Sequence, residues 1–155
     1  MTKFPGVVIG LVIDTNDPEG EGRVQLEFPW MPGSLHSSWA PIAAPMAGPS
    51  RGQFYSPEVG DEALVAFEHG DFDHPFVIGF LWNGVDQPPE SDRKKRVIVS
   101  VSGHRITLDD SPGGERIEIK SSSGQTITID DAQQSIELHG GGRILALKGG
   151  QVQIT

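Results

Sequence analysis

The C-terminal third of the chain repeats one short pattern six times, and this repeat limits the possible folds more than any other feature. In each copy two apolar residues flank a single middle residue, and successive copies begin 7 to 11 residues apart. Alternate side chains of a β-strand point to the same face, so each apolar pair lies on one face of its strand. A repeat of this kind predicts a β-solenoid or a stacked fibre. The pairs are Ile106/Leu108, Ile117/Ile119, Ile127/Ile129, Ile136/Leu138, Leu145/Leu147 and Val152/Ile154.

The middle residues of the repeat are mostly polar, as the outer face of such a structure requires. Thr107, Glu118, Thr128 and Glu137 are examples, and Gly, Ser and Asp between the copies favour turns. A sheet with one apolar face needs neighbours that cover it. These neighbours are either further coils of the same chain or strands of other chains. The absence of aromatic residues after Trp82 favours a narrow prism wound from several chains.

The first 90 residues contain five short runs that are typical of β-strands, and no window has the spacing of an amphipathic helix. Loops rich in Gly, Pro, Asn and Asp separate the runs, and one long loop covers residues 45–60. This arrangement predicts a five-stranded Greek-key barrel of the OB type, so the predicted fold class is all-β. The runs are Val7–Ile13, Arg23–Phe28, Trp39–Ala44, Glu62–Phe67 and Phe76–Trp82.

Charge divides the chain near residue 90. Residues 1–90 hold 3 basic and 13 acidic side chains, a net charge of −10, whereas residues 91–155 hold 9 basic and 8 acidic ones, a net charge of +1. We therefore predict a barrel domain over residues 1–90, a basic linker over 91–96 and a repeat domain over 97–155. The basic residues of the linker are expected to be solvated or paired with acidic neighbours, rather than to bind nucleic acid.

Composition excludes several classes of protein. The chain has no cysteine, so disulfides, thiol nucleophiles and zinc sites with sulfur ligands are excluded. No apolar run is long enough for a membrane helix, and the N-terminus lacks the pattern of a signal peptide. The net charge of −9 disfavours binding to phosphate backbones or anionic lipids. We expect a soluble protein without redox chemistry.

Several motifs of the first half occur together in one family. The stretch 6–89 resembles the OB-fold domain of the spikes of contractile injection systems, namely phage baseplate assembly protein V and the VgrG spike of type VI secretion. The matching segments are Asp17-Pro18-Glu19-x-x-Gly22-Arg23-Val24, Pro57-Glu58-Val59-Gly60-Asp61, Glu68-His69-Gly70-Asp71 and Gly79-Phe80-Leu81-Trp82-Asn83-Gly84.

This resemblance implies a homotrimeric central spike that pierces a target envelope. In the family the OB domain precedes an intertwined, triple-stranded β-helix, for which the twelve repeat residues would form the trimer core. The OB domains would join hub or tail-tube proteins, and Val152, Gln153, Ile154 and Thr155 would seat a conical, PAAR-like tip protein. The spike would assemble in the cytoplasm of the producing cell and act at or beyond the cell surface. Larger family members can carry enzymatic insertions, but for this chain we expect no enzyme activity, no cofactor and contact with the target membrane only by mechanical puncture.

The candidate catalytic and metal sites have structural explanations. Residues 68–74 contain two His and three carboxylates, a set that could hold a metal ion, but they coincide with the bend of the family motif. Asp109-Asp110 and Asp130-Asp131 fall in turns, and the Gly140-Gly141-Gly142 run lacks the Lys-Ser/Thr ending of a phosphate loop. We therefore predict no catalytic, cofactor-binding or metal-binding residues.

Two functions from other classes stay open at this point. An OB barrel can bind single-stranded nucleic acid, although a net charge of −10 disfavours it. A β-helical trimer can be a phage tail fibre that degrades polysaccharide, although a repeat of about 50 residues is short for such an enzyme.

Overall fold

The structure is a computed structural model that describes residues 3–33 and 35–154. Its chain divides into two compact units, residues 1–87 and 88–155. Across the described residues the fold is all-β, with one 3-10 turn, η1 (Glu68–Gly70). No helix among these residues has the length and apolar character that crossing a bilayer demands.

The N-terminal unit is built on a four-stranded antiparallel sheet with the order β2-β1-β5-β6. A separate two-stranded ribbon pairs β3 with β4. The strands are β1 (Val7–Asp14), β2 (Gln25–Glu27), β3 (Ala47–Gly48), β4 (Arg51–Gly52), β5 (Glu62–Phe67) and β6 (Pro75–Phe80).

The predicted third strand, Trp39–Ala44, closes this sheet into a barrel without forming a regular strand. On one side Ala40 exchanges two backbone hydrogen bonds with Val24, at 2.8 and 3.0 Å. On the other side the Val77 N–H donates to Pro41 O at 3.0 Å, and the Ala43 N–H donates to Val77 O at 2.8 Å. Pro41 has no N–H of its own, so the segment forms isolated bridges rather than a continuous ladder.

The interior of the barrel is a closed apolar core. Its inward side chains alternate along β1, β2, β5 and β6, as the period of two predicts. An aromatic cluster joins Phe28, Phe67 and Phe72, whose ring centroids lie 5.3 to 5.7 Å apart. The buried members are Val12, Val24, Leu26, Phe28, Ala40, Ala63, Val65, Phe67 and Val77.

The C-terminal unit is a seven-stranded antiparallel sheet in which every strand pairs with the next one along the chain. Two-residue turns join the last strands, where Gly141 and Gly142 have φ of 59° and 74°. Positive φ at both positions is the geometry of a type I′ hairpin turn, which explains the run of glycines. The strands are β7 (Lys95–Val99), β8 (Arg105–Asp109), β9 (Arg116–Lys120), β10 (Thr126–Asp130), β11 (Ser135–Gly140), β12 (Arg143–Lys148) and β13 (Gln151–Ile154).

The basic cluster at residues 93–96 lies at the start of this sheet. Lys95 and Arg96, placed in the linker by the sequence, are the first two residues of β7. Arg96 forms an ion pair with Asp110, and Lys95 Nζ lies 4.0 Å from an Asp92 oxygen. Pairing with acidic neighbours therefore accounts for two of the four charges.

Candidate functional site

The repeat residues form two continuous apolar ladders across the C-terminal sheet. Ile127, for example, faces Ile119 of β9 and Leu138 of β11. The first ladder runs Ile106, Ile119, Ile127, Leu138, Leu145, Ile154, and the second runs Leu108, Ile117, Ile129, Ile136, Leu147, Val152. The sequence-predicted set therefore lies together on one side of the sheet, which we call the ladder face.

The ladder face is exposed in the single chain. Its ten residues from Ile106 to Leu147 are 37 to 45% exposed, although apolar side chains of this size are usually buried in folded proteins. Contiguous apolar surface of this extent marks an interaction site. The main-chain groups of neighbouring strands already pair within the chain, so the ladder face offers a partner side chains rather than strand edges.

Ile98 belongs to the same face and is missing from the sequence-predicted set. It lies on β7 opposite Ile106, where it begins the first ladder. Its segment, Val97-Ile98-Val99, has no polar middle residue flanked by an apolar pair, so the repeat pattern did not include it. Because Val97 and Val99 beside it are also apolar, the local sequence does not show which face of β7 belongs to the ladders.

The opposite face of the sheet is polar and more completely covered. Asp109 is buried beside Arg116, whose guanidinium lies 3.5 Å from its carboxylate. Hydrogen bonds from Ser111, together with the charges of Lys95 and Arg116, lower the pKa of Asp109. Charged side chains therefore shield this face, whereas the apolar ladder face is open to solvent.

The C-terminal end of the sheet is the most exposed part of the ladder face. Val152 and Ile154 of β13 are 66 and 75% exposed, because β13 is an edge strand with a partner on one side only. Gln153 is the polar middle residue between them. Thr155, the last of the predicted tip-docking residues, lies outside the described residues.

In the barrel, the motif residues Gly22, Arg23 and Val24 belong to an ordered loop between β1 and β2. The carboxylate of Asp17 accepts backbone N–H groups of Glu19, Glu21 and Arg23 at 2.9 to 3.2 Å. The Arg23 guanidinium donates to the same carboxylate at 2.8 Å. The side chain of Asp17 is only 3% exposed, and the hydrogen bond from Arg23 holds the pKa of its carboxyl well below the usual range. The pair shapes the loop.

Other motif residues also serve bends. The Asp61 carboxylate accepts the Glu58 N–H at 2.9 Å, and Gly60, at φ 101°, donates its N–H to Val12 O at 2.8 Å. At the end of the barrel, Asn83 Oδ1 accepts the N–H groups of Val85 and Asp86 at 2.8 and 2.7 Å. The structure places Pro57, Gly79 and Gly84 in the same unit, Pro57 before the first bend, Gly79 in β6 and Gly84 within the last bend.

The acidic and His-containing segment 68–74 forms a tight connection between β5 and β6. His69 has φ of 50° and Gly70 has φ of 78°, and the Phe4 N–H donates to Gly70 O at 3.0 Å. Asp71 accepts the Asp73 N–H at 3.1 Å. Throughout residues 3–33 and 35–154, no cluster of three or more potential ligands is arranged to hold a metal ion.

Comparison with protein families agrees with the two-unit architecture. A family model described as the type VI secretion system/phage-baseplate injector OB domain matches residues 8–82. A second, described as the phage baseplate V C-terminal trimerisation domain, matches residues 95–155. The chain belongs to the phage baseplate V family. The predicted OB domain and spike-family resemblance are confirmed, and the membership favours a structural spike component over a polysaccharide-degrading fibre enzyme or a nucleic-acid binder.

Curated relatives include spike proteins of type VI secretion systems and an actin cross-linking toxin. VgrG3 of Vibrio cholerae serotype O1 is 26% identical over 141 residues, which is 79% of this chain and 14% of VgrG3. VgrG2a of Pseudomonas aeruginosa is 26% identical over 119 residues, 74% of this chain and 13% of the relative. The actin cross-linking toxin VgrG1 of Vibrio cholerae is 29% identical over 119 residues, 64% of this chain and 11% of the relative. The chain therefore spans about one seventh or less of these three proteins.

Proposed function

We propose that this chain forms the central spike of a contractile injection machine as a homotrimer. Three C-terminal sheets wind around a common axis with their ladder faces inward, and Ile106 to Ile154 line the trimer core. The observation that carries this proposal is the uninterrupted pair of apolar ladders, exposed in one chain and matched to a trimerisation domain. Burial of apolar surface is the dominant favourable term in such association.

The same arrangement suits a part that must resist force. Each strand of the sheet is hydrogen-bonded to its neighbours, and three joined ladder faces leave a shaft with a charged outer surface. Few groups in such a prism open locally, so it transmits an axial load without unfolding. Sheath contraction would drive this shaft through the target envelope by mechanical puncture.

The barrel forms a collar around the upper end of the spike in this proposal. Its partners are the hub or tail-tube proteins of the baseplate. At the other end, Val152, Gln153, Ile154 and Thr155 seat a conical, PAAR-like tip protein. The strong exposure of Val152 and Ile154 on edge strand β13 supports a docking role for this end.

The proposed role is structural, without a catalysed reaction or a cofactor. In this proposal residues 1–90 form the collar, residues 91–96 the basic linker and residues 97–155 the shaft. The particle is assembled in the cytoplasm of the producing cell, and the spike acts at or beyond the cell surface.

A substitution in the ladder face tests this function in a bacterium that produces the particle. Ile127→Asp places a carboxylate against the apolar core of the trimer, where a charge has no partner. We expect particles that lack the spike, seen by electron microscopy, and a loss of target-cell killing. Thr128→Asn, on the opposite face, is the matched control and should leave both unchanged. Particles that carry Ile127→Asp and still kill would contradict the proposal.

A further inference from the structure

An arm on the barrel is exposed along its whole length. It consists of residues 43–56, which leave the barrel at Ala43 and return at the buried Pro57, and every one of these residues is exposed. Its centre is the ribbon β3–β4, which is only two residues long on each side. A two-stranded ribbon of this size is not stable in water by itself. A neighbouring molecule that packs on the arm would supply the missing support.

The arm carries an apolar and aromatic surface with one cation. Met46, Phe54 and Tyr55 are all more than half exposed, and Phe54 reaches 80%. Arg51 forms no ion pair with any described residue, and its guanidinium lies over Gly48. Arg23, by contrast, forms ion pairs with Asp17, Glu19 and Glu21. Arg51 is therefore a cation without a counter-charge in a unit that is strongly acidic.

A complementary surface lies on the outward side of the barrel sheet. Val7, Ile9, Phe76 and Ile78 are exposed there, and Leu64 is half-buried between β1 and β6. We call these five residues the barrel patch. Two carboxylates border it, because Leu11, beside the patch on β1, is flanked by Glu27 on β2 and Glu62 on β5.

We infer that the arm of one copy packs on the barrel patch of the next copy in the trimer. The aromatic arm residues would cover the patch, and Arg51 would lie near Glu27 and Glu62 of that copy. Oppositely charged groups at the border of an apolar contact fix its register and exclude wrong partners. The contact joins two different surfaces, so three copies related by a threefold axis close it into a ring.

This inference rests on the proposed homotrimer. Three chains joined through their C-terminal domains hold three barrels at a high effective concentration, so that even a weak contact between them forms. The arm and patch then give the collar a second contact between copies, which a trimerisation domain alone does not require.

Cysteine cross-linking tests the contact directly, because the chain contains no cysteine of its own. Gln53→Cys places a thiol on the arm, and Ala66→Cys places one beside Val7 at the edge of the barrel patch. With both changes in one chain, a short bis-maleimide should link three chains into a covalent trimer on a denaturing gel. Each single variant, and the pair Gln53→Cys with Asp73→Cys, serves as the matched control and should give mostly monomer.

Light scattering on the same samples distinguishes failure of the arm contact from failure of the proposed homotrimer. A trimeric mass without covalent trimers would overturn the arm contact and leave the proposed spike intact. Binding of the arm to a hub protein instead of to the barrel patch would have the same consequence. A monomeric mass would overturn both. Arg51→Glu in the double-cysteine chain should slow cross-linking roughly two- to fivefold, the effect of one border ion pair. Glu62→Arg added to Arg51→Glu should restore the rate, and an unchanged rate in Arg51→Glu would contradict the assigned ion pair.

Discussion

The two units of the chain differ in whether their apolar side chains are buried within the single chain. The barrel encloses its own core, in which Leu26, Phe28 and Val65 are fully buried. The C-terminal sheet satisfies its main-chain hydrogen bonds within the chain but leaves Ile127 and its ladder neighbours exposed. The barrel thus encloses its apolar side chains within one chain, whereas the apolar face of the sheet needs a partner surface to cover it. The burial pattern of a single chain therefore distinguishes the unit that covers its own apolar core from the unit that leaves apolar side chains for partners to cover.

The largest expected effect is found by placing a charge at either of two neighbouring positions, Ile127 and Thr128. Burial in the single chain and burial in the trimer predict opposite results for these two positions. Ile127 is more exposed than Thr128 in one chain, so a monomer would tolerate a charge better at Ile127. In the trimer the order is opposite. Ile127→Lys should abolish the trimer, because a lone charge would be buried in its core. Thr128→Lys lies between Glu118 and Glu137 and should keep the trimeric mass and melting temperature.

The next effect distinguishes the barrel core from the trimer core. Phe28→Ala empties a fully buried site and should destabilise the barrel by about 3–5 kcal/mol. All three Trp residues lie in the barrel, at positions 30, 39 and 82, so Trp fluorescence during urea unfolding follows this unit selectively. Val85→Ala, at an exposed side chain, is the control and should change stability by less than about 0.5 kcal/mol. Loss of the trimer in Phe28→Ala under native conditions would show that the two units are not independent.

The smallest effect concerns the Asp17–Arg23 pair of the barrel loop. The hydrogen bond from Arg23 lowers the pKa of Asp17 in the folded state from its ordinary value of 3.8. A lowered folded pKa contributes stability that is present above pH 3.8 and is lost as the pH falls below it. Asp17→Asn should therefore lower the melting temperature of the barrel at pH 7, and the difference from the unsubstituted chain should shrink below pH 3.8. A difference that is the same at pH 7 and pH 3 would contradict the assigned ion pair.

Sequence alone predicts the apolar ladders because their signal is local. Ile117 and Ile119 face the same way in any strand, and the repeat then brings six such pairs to one face. The segment Trp39–Ala44 was also predicted, but only the structure shows that Pro41 limits it to isolated bridges on both sides of the barrel closure. The arm at 43–56 has neither alternation nor a helical period, so no local pattern distinguishes its exposed aromatic residues from those of an ordinary loop. The pairing of Asp17 with Arg23 depends on how the loop between β1 and β2 closes, which composition does not determine.

In the proposed spike, the ladder face of one chain is covered by the ladder faces of two other copies. Absolute mass by light scattering on a sizing column, repeated over serial dilution and in dilute urea, tests it most directly. We expect a mass about three times 16.7 kDa that persists at low concentration. A stable monomer of 16.7 kDa, with the ladder face open to solvent, would contradict it.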